Sequence, residues 1–88
     1  MDVATLLRAR LAPLAPVHID LTDDSAAHAG HAGSAQGGGH FSLLIVSEQF
    51  TGKSRLARHR AVLEQVGDLI PHPVHALAIE AYAPAELP

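Results

Sequence analysis

Apolar positions along the chain change period several times, and each change marks an element. Val3, Leu6, Leu7 and Leu11 recur at three- and four-residue intervals, the spacing of one helix face, with Asp2 placed to cap the N-terminus. Pro13 and Pro16 end that run. VHIDLT (17–22) alternates strictly, Val17, Ile19 and Leu21 against His18, Asp20 and Thr22, which predicts a half-buried strand. FSLLIVS (41–47) is apolar almost throughout and rich in branched side chains, so it is expected to be the most buried strand. EQFTGKS is a turn or short helical connection punctuated by Gly52. From a cap at Ser54, the residues Leu56, Leu63, Val66 and Ile70, supported by Val62 and Leu69, predict a second helix that stops before Pro71 and Pro73. VHALAIEAY (74–82) is the third strand, with His75 sharing a face with Leu77 and Ile79, and Val74, Ala76, Ala78 and Tyr82 on the other.

The predicted order is therefore α-β-β-α-β, with an extra helical turn near 48–52, in an α+β fold of one three-stranded mixed sheet packed on helices. The first two strands should be antiparallel, and the strand–helix–strand unit should bring the third parallel to the second. That topology has a chemical consequence. Strands two and three then begin at the same edge of the sheet, so His75 is expected near His40 and the histidines of the intervening loop.

That loop, HAGHAGSAQGGGH (28–40), holds three histidines and five glycines in thirteen positions. The chain of 88 residues suits a single domain over 1–88, with 28–40 as a long flexible loop and 84–88 as a loose tail. It contains no cysteine, which excludes a disulfide framework and any self-sufficient thiolate metal site, and which fits a reducing, cytoplasmic setting. No apolar run nears the roughly 20 residues a membrane-spanning helix needs, and the start MDVATLLRARLAP does not read as a secretory signal. The net charge of −3 opposes bulk attraction to nucleic acid, yet Lys53, Arg55, Arg58 and Arg60 concentrate four of the six basic residues in one stretch.

Three kinds of chemistry follow from these residues. His28 and His31, with His75 from a strand edge, could contribute imidazoles to a metal, although histidines alone make an incomplete site and a solvated loop is the plainer reading. GKSRLARHR could meet phosphates through a glycine turn, a helix start and its basic side chains, but no aromatic residues are interleaved for base stacking. His59, on the Leu56–Leu63–Val66 stripe, is expected to be partly buried with a hydrogen-bond partner. Catalysis has the least support. Asp23, Asp24, Ser25 and His28 are close in sequence without forming a recognisable triad, and there is no nucleophile elbow or phosphate loop.

DDSAAHAGHAG, then HFSLLIVSEQFTGKSRLARHRAVLEQVGDLI, then VHALAIEAYAP resemble the BolA family over about Leu6 to Pro84. The most specific pieces are the S-x-x-H-A-G-H loop, the phenylalanine–glycine–basic stretch ending in RHR, and the VHAL strand. The resemblance implies an α-β-β-α-α-β fold similar to class II KH domains. It also implies a non-catalytic partner of monothiol glutaredoxins that shares a bridging 2Fe–2S cluster, in iron–sulfur trafficking or iron homeostasis. A glutaredoxin cysteine and a glutathione thiolate would be ligands on one side, and His28 and His75 on the other, with His31 and His40 in reserve. Some BolA-like proteins also regulate transcription by binding DNA, which here would fall to Lys53, Arg55, Arg58 and Arg60. The isolated protein is expected to be a monomer or weak dimer.

Overall fold

The computed structural model describes residues 2–24 and 39–87. Helix α1 covers Val3–Leu11, and the Asp2 carboxylate accepts the Thr5 backbone N–H at 2.7 Å, the cap expected from its position. A single 3₁₀ turn, Ala12–Leu14, carries the chain past Pro13. Strand β1 is His18–Asp23, β2 is Gly39–Val46, helix α2 is Arg55–Val66 and β3 is Val74–Tyr82. The extra helical element between β2 and α2 is one 3₁₀ turn, Glu48–Phe50, whose N-cap is Ser47. Ser54 caps α2 through the Ala57 N–H, and the helix gives way to a 3₁₀ turn, Gly67–Leu69, ahead of Pro71. Gly52, at φ 77°, occupies the left-handed region that turns the chain into α2.

The sheet order is β1-β2-β3, with β1 antiparallel and β3 parallel to β2. Both helices cover one face. Leu7, Leu11, Phe41, Leu43, Ile45, Phe50, Val62, Val66 and Val74 form the core between them, and β2 is the most buried strand, as its composition requires. The β2 terminus is tied to the first helical layer by Ser47, a fully buried residue whose hydroxyl donates to the Leu14 carbonyl at 2.6 Å and accepts the Gln49 N–H at 3.1 Å. Its polar atoms are thus satisfied on both sides.

Helix α2 is rotated from the phase that its leucines suggest. Leu56 and Leu63 are 59% and 42% exposed, whereas Arg58, Val62 and Val66 are buried, with Leu69 following in the next turn. Positions 58, 62 and 66 repeat every four residues and so form a coherent stripe once an arginine is admitted to it. The arginine is tolerated because its guanidinium is satisfied. Arg58 Nε donates to the Lys53 carbonyl at 2.9 Å, Nη1 to the Ala81 carbonyl at 3.0 Å, and Nη1 and Nη2 to the Glu86 carboxylate at 2.6 and 3.0 Å.

This same cluster orders the residues expected to be a loose tail. Pro84–Glu86 form a 3₁₀ turn, and the Glu86 carboxylate also accepts the Ala83 N–H at 2.7 Å. The bonds from Arg58, then that from Ala83, hold the Glu86 carboxyl at about 2, down from 4.5. A carboxylate lowered on folding stabilises the fold above its ordinary pKa, and that contribution is lost as pH falls from about 4.5 through about 2. Urea midpoints measured across this window should fall more steeply for the native protein than for Glu86→Gln, which should be the less stable of the two at neutral pH. Parallel curves would refute the pairing.

Candidate functional site

His40 is the second residue of β2 and His75 the second of β3. Their imidazole rings lie 5.1 Å apart between centroids, tilted by 47°. The parallel crossover brings together two histidines thirty-five positions apart, at the sheet edge where the 25–38 segment leaves β1 and enters β2. Both junctions of that segment are anchored beside the pair. The Asp24 N–H donates to the His40 carbonyl at 2.7 Å, and the Gly39 N–H donates to the Pro73 carbonyl at 3.1 Å. The Ser42 hydroxyl donates to the Asp24 carboxylate, fixing the end of β1 against β2.

A bulge decides how His75 is presented. Gly39 pairs with Val74 and His40 with Ala76, so His75 is an extra residue opposite no partner. Strict alternation places His75 on the face of Leu77 and Ile79, against the core. The bulge breaks that alternation: Val74 is fully buried, Leu77 and Ile79 still pack inward, and His75 is left exposed at the edge. Sequence periodicity cannot reveal this, because an inserted residue is visible only once the two strands are paired. Gly39 is part of the device. A Cβ there would meet the Phe41 ring at 2.7 Å, so glycine lets the buried phenylalanine pack against the backbone at the start of β2, beside the bulge.

His28 and His31 lie outside the described residues. Gly39 and His40, expected to close the loop, belong to β2 instead. Among the described residues no group of three or more metal-ligating side chains gathers at one point. What the edge offers is a pair of imidazoles, suited to iron, zinc or copper but short of a complete coordination shell.

The basic stretch divides in a way that its sequence does not announce. Lys53, Arg55 and Arg60 are exposed. Arg58 is not available as a phosphate contact, because its donors are committed to Glu86 and two carbonyls inside the fold. The signal that could have marked it is the four-residue interval to Val62 and Val66. His59 is half-buried as expected, but its ring has no hydrogen bond to another described residue; it lines the space between α2 and β3.

The sequence matches the family model described as BolA-like protein over residues 11–86. The chain belongs to the BolA-like protein family. It is 42% identical over 85 residues to BolA-like protein 1 of Mus musculus, covering 96% of this chain and 60% of that protein. It is 46% identical over 79 residues to SufE-like protein 1, chloroplastic/mitochondrial, of Arabidopsis thaliana, covering 84% of this chain but 21% of that protein. A third relative, 37% identical over 67 residues and covering 76% of this chain and 61% of that protein, is the DNA-binding transcriptional regulator BolA of Escherichia coli. Among solved structures, the BolA domain of SufE1 from Arabidopsis thaliana superposes with a TM-score of 0.81 at 37% identity, covering 99% of both chains. The BolA-like fold thus accounts for all the described residues, while the chain spans only part of these curated relatives.

Proposed function

We propose that this BolA-like protein is a non-catalytic adaptor that binds a monothiol glutaredoxin and co-ligates a bridging 2Fe–2S cluster. The observation that carries the reading is the His40–His75 pair at the edge where the 28–40 segment is rooted. The donor chemistry fits the group. Imidazole ligates iron in 2Fe–2S centres that have two histidines on one iron, and such a centre takes thiolates at its remaining positions. This chain has no cysteine, so the thiolates would come from the glutaredoxin and its glutathione. His75 would be one ligand and His28 the other, with His31 and His40 as alternatives. The bulge supports the reading further, because it holds an imidazole exposed at the sheet edge, accessible to a docking partner.

The test is reconstitution. Mixing the protein with a monothiol glutaredoxin, glutathione, iron and sulfide should give a coloured heterocomplex whose visible spectrum differs from that of the glutaredoxin alone. If the two proteins elute separately and the spectrum is that of the glutaredoxin, the reading fails.

A second reading, DNA binding, is favoured by the relative named as a DNA-binding regulator and by the exposed Lys53, Arg55 and Arg60. Removing one cation that meets a phosphate should reduce the slope of log affinity against log salt by about 0.9. Neutralising these three residues one at a time should therefore flatten the slope stepwise, and an unchanged slope would remove DNA from consideration.

A further inference from the structure

Among the described residues the outer margin of β3 is an unpaired strand edge, and the structure shows which of its backbone groups are open. The Ser47 N–H donates to the Tyr82 carbonyl at 3.0 Å, which turns the even-numbered residues of β3 toward β2. Leu77, Ile79 and Ala81 therefore direct their N–H and C=O groups away from the sheet. The Ala81 carbonyl is taken by Arg58 at 3.0 Å. Among the described residues Leu77 and Ile79 make no such bond, and β3 has no neighbour but β2. Natural sheets usually cover or blunt an edge of this kind. Here Arg58 blunts one end, the His75 bulge stops the other, and two residues between them are left open.

Beside this edge runs a groove between α2 and β3. It is a hollow of about 470 Å³, adjoined by a second of about 580 Å³ that shares Arg55, His59, Ile79 and Glu80 with it and then spreads over β2 to Asp20 on β1, away from the helix wall. Lys53 and Arg55 stand on its helix wall without an ion pair among the described residues, while the arginine deeper in the wall is neutralised by Glu86. The helix wall is thus cationic. On the opposite side, Glu80 projects from the solvent face of the sheet.

We infer that this groove takes an extended acidic segment of a partner protein, which adds to the sheet as a fourth strand on the Leu77–Ile79 edge. An added strand would exchange backbone hydrogen bonds with both residues and send its side chains alternately to the two faces. Those on the helix side meet Lys53, Arg55 and His59 and are acidic. Those on the other side pass Glu80 and are neutral or basic. A single-stranded nucleic acid would satisfy the cations but would leave Leu77 and Ile79 without a strand partner, and the groove supplies no ladder of aromatic rings for bases to stack on.

The surface is separate from the His40–His75 edge, and its test does not depend on a cluster. The apo protein is titrated with a capped peptide of alternating glutamate and valine, about six residues long, the usual strand length. The Leu77 and Ile79 amide resonances should shift saturably and their exchange with solvent should slow. A peptide N-methylated on its pairing edge should bind about tenfold or more weakly, as should the unmodified peptide to the Lys53→Glu/Arg55→Glu protein, since like charges face each other there. Both substitutions lie at exposed positions, Lys53 just before the Ser54 cap and Arg55 at the first residue of α2, where a carboxylate suits the helix dipole, so the fold is kept. Undisturbed Leu77 and Ile79 amides would overturn the inference. So would equal binding of the N-methylated peptide or of a lysine–valine counterpart, or a thymidine oligonucleotide shifting those amides where the peptide does not.

Discussion

His75→Ala should return the visible spectrum of the reconstituted mixture to that of the glutaredoxin alone while leaving the free protein's unfolding curve almost unmoved. The side chain is exposed, unpaired across the sheet by the bulge, and in ring contact only with His40 among the described residues. Surface substitutions of this kind shift stability by no more than about 0.5 kcal/mol. Removing a ligand from an iron centre is a different matter. Substituting groups that merely support a metal ligand already costs 10–100-fold in affinity as an order of magnitude, so removing a ligand itself should cost at least that much. His72→Ala, exposed and a few residues away before the bulge, supplies the control and should leave the spectrum intact. His28→Ala and His31→Ala, compared side by side, would separate the loop candidates. If His75→Ala retained the native spectrum, the ligand assignment would be wrong.

Phe50→Ala should come close to unfolding the protein. The ring is fully buried in the connection between β2 and α2, at the heart of the core. Truncating a buried phenylalanine costs about 3–5 kcal/mol. A domain of this length has roughly 4–13 kcal/mol in total, from about 0.05–0.15 kcal/mol per residue. The melting temperature should therefore drop by at least about 12 °C. Leu63→Ala is the informative companion. The helical spacing assigns Leu63 to the core, but it is 42% exposed, and its truncation should cost a small fraction of the Phe50 effect. Comparable losses from the two variants would mean that α2 packs in the phase its leucines suggest rather than with Arg58 inward.

The outer wall of α2 shows why that phase escapes a reading of the sequence. Leu56 and Leu63 are the largest apolar side chains on the helix, and a stripe drawn through them is reasonable. Arg58 can displace them because its long stem packs like an aliphatic side chain while its head finds a carboxylate and two carbonyls. Those partners come from Lys53, Ala81 and Glu86, the last two from a different strand and the chain end, and no local pattern announces them. The same reason removes Arg58 from the basic patch and turns the expected loose tail into an ordered turn.

Several features are set locally and can be read directly. Asp2 and Ser54 cap their helices because a short side-chain acceptor precedes an apolar helical repeat, and β1 alternates because one of its faces is wet. The connection through α2 makes β3 parallel to β2, and this alone is enough to bring His75 beside His40. The sequence by itself therefore determined the elements, their order and the meeting of the two histidines. Only the tertiary structure decided that His75 leaves the core face through a bulge, that Arg58 turns inward, and that an open strand edge lies beside Arg55. Each of these depends on what a residue meets across the fold, and pairing across the fold is information that hydrophobic period does not contain.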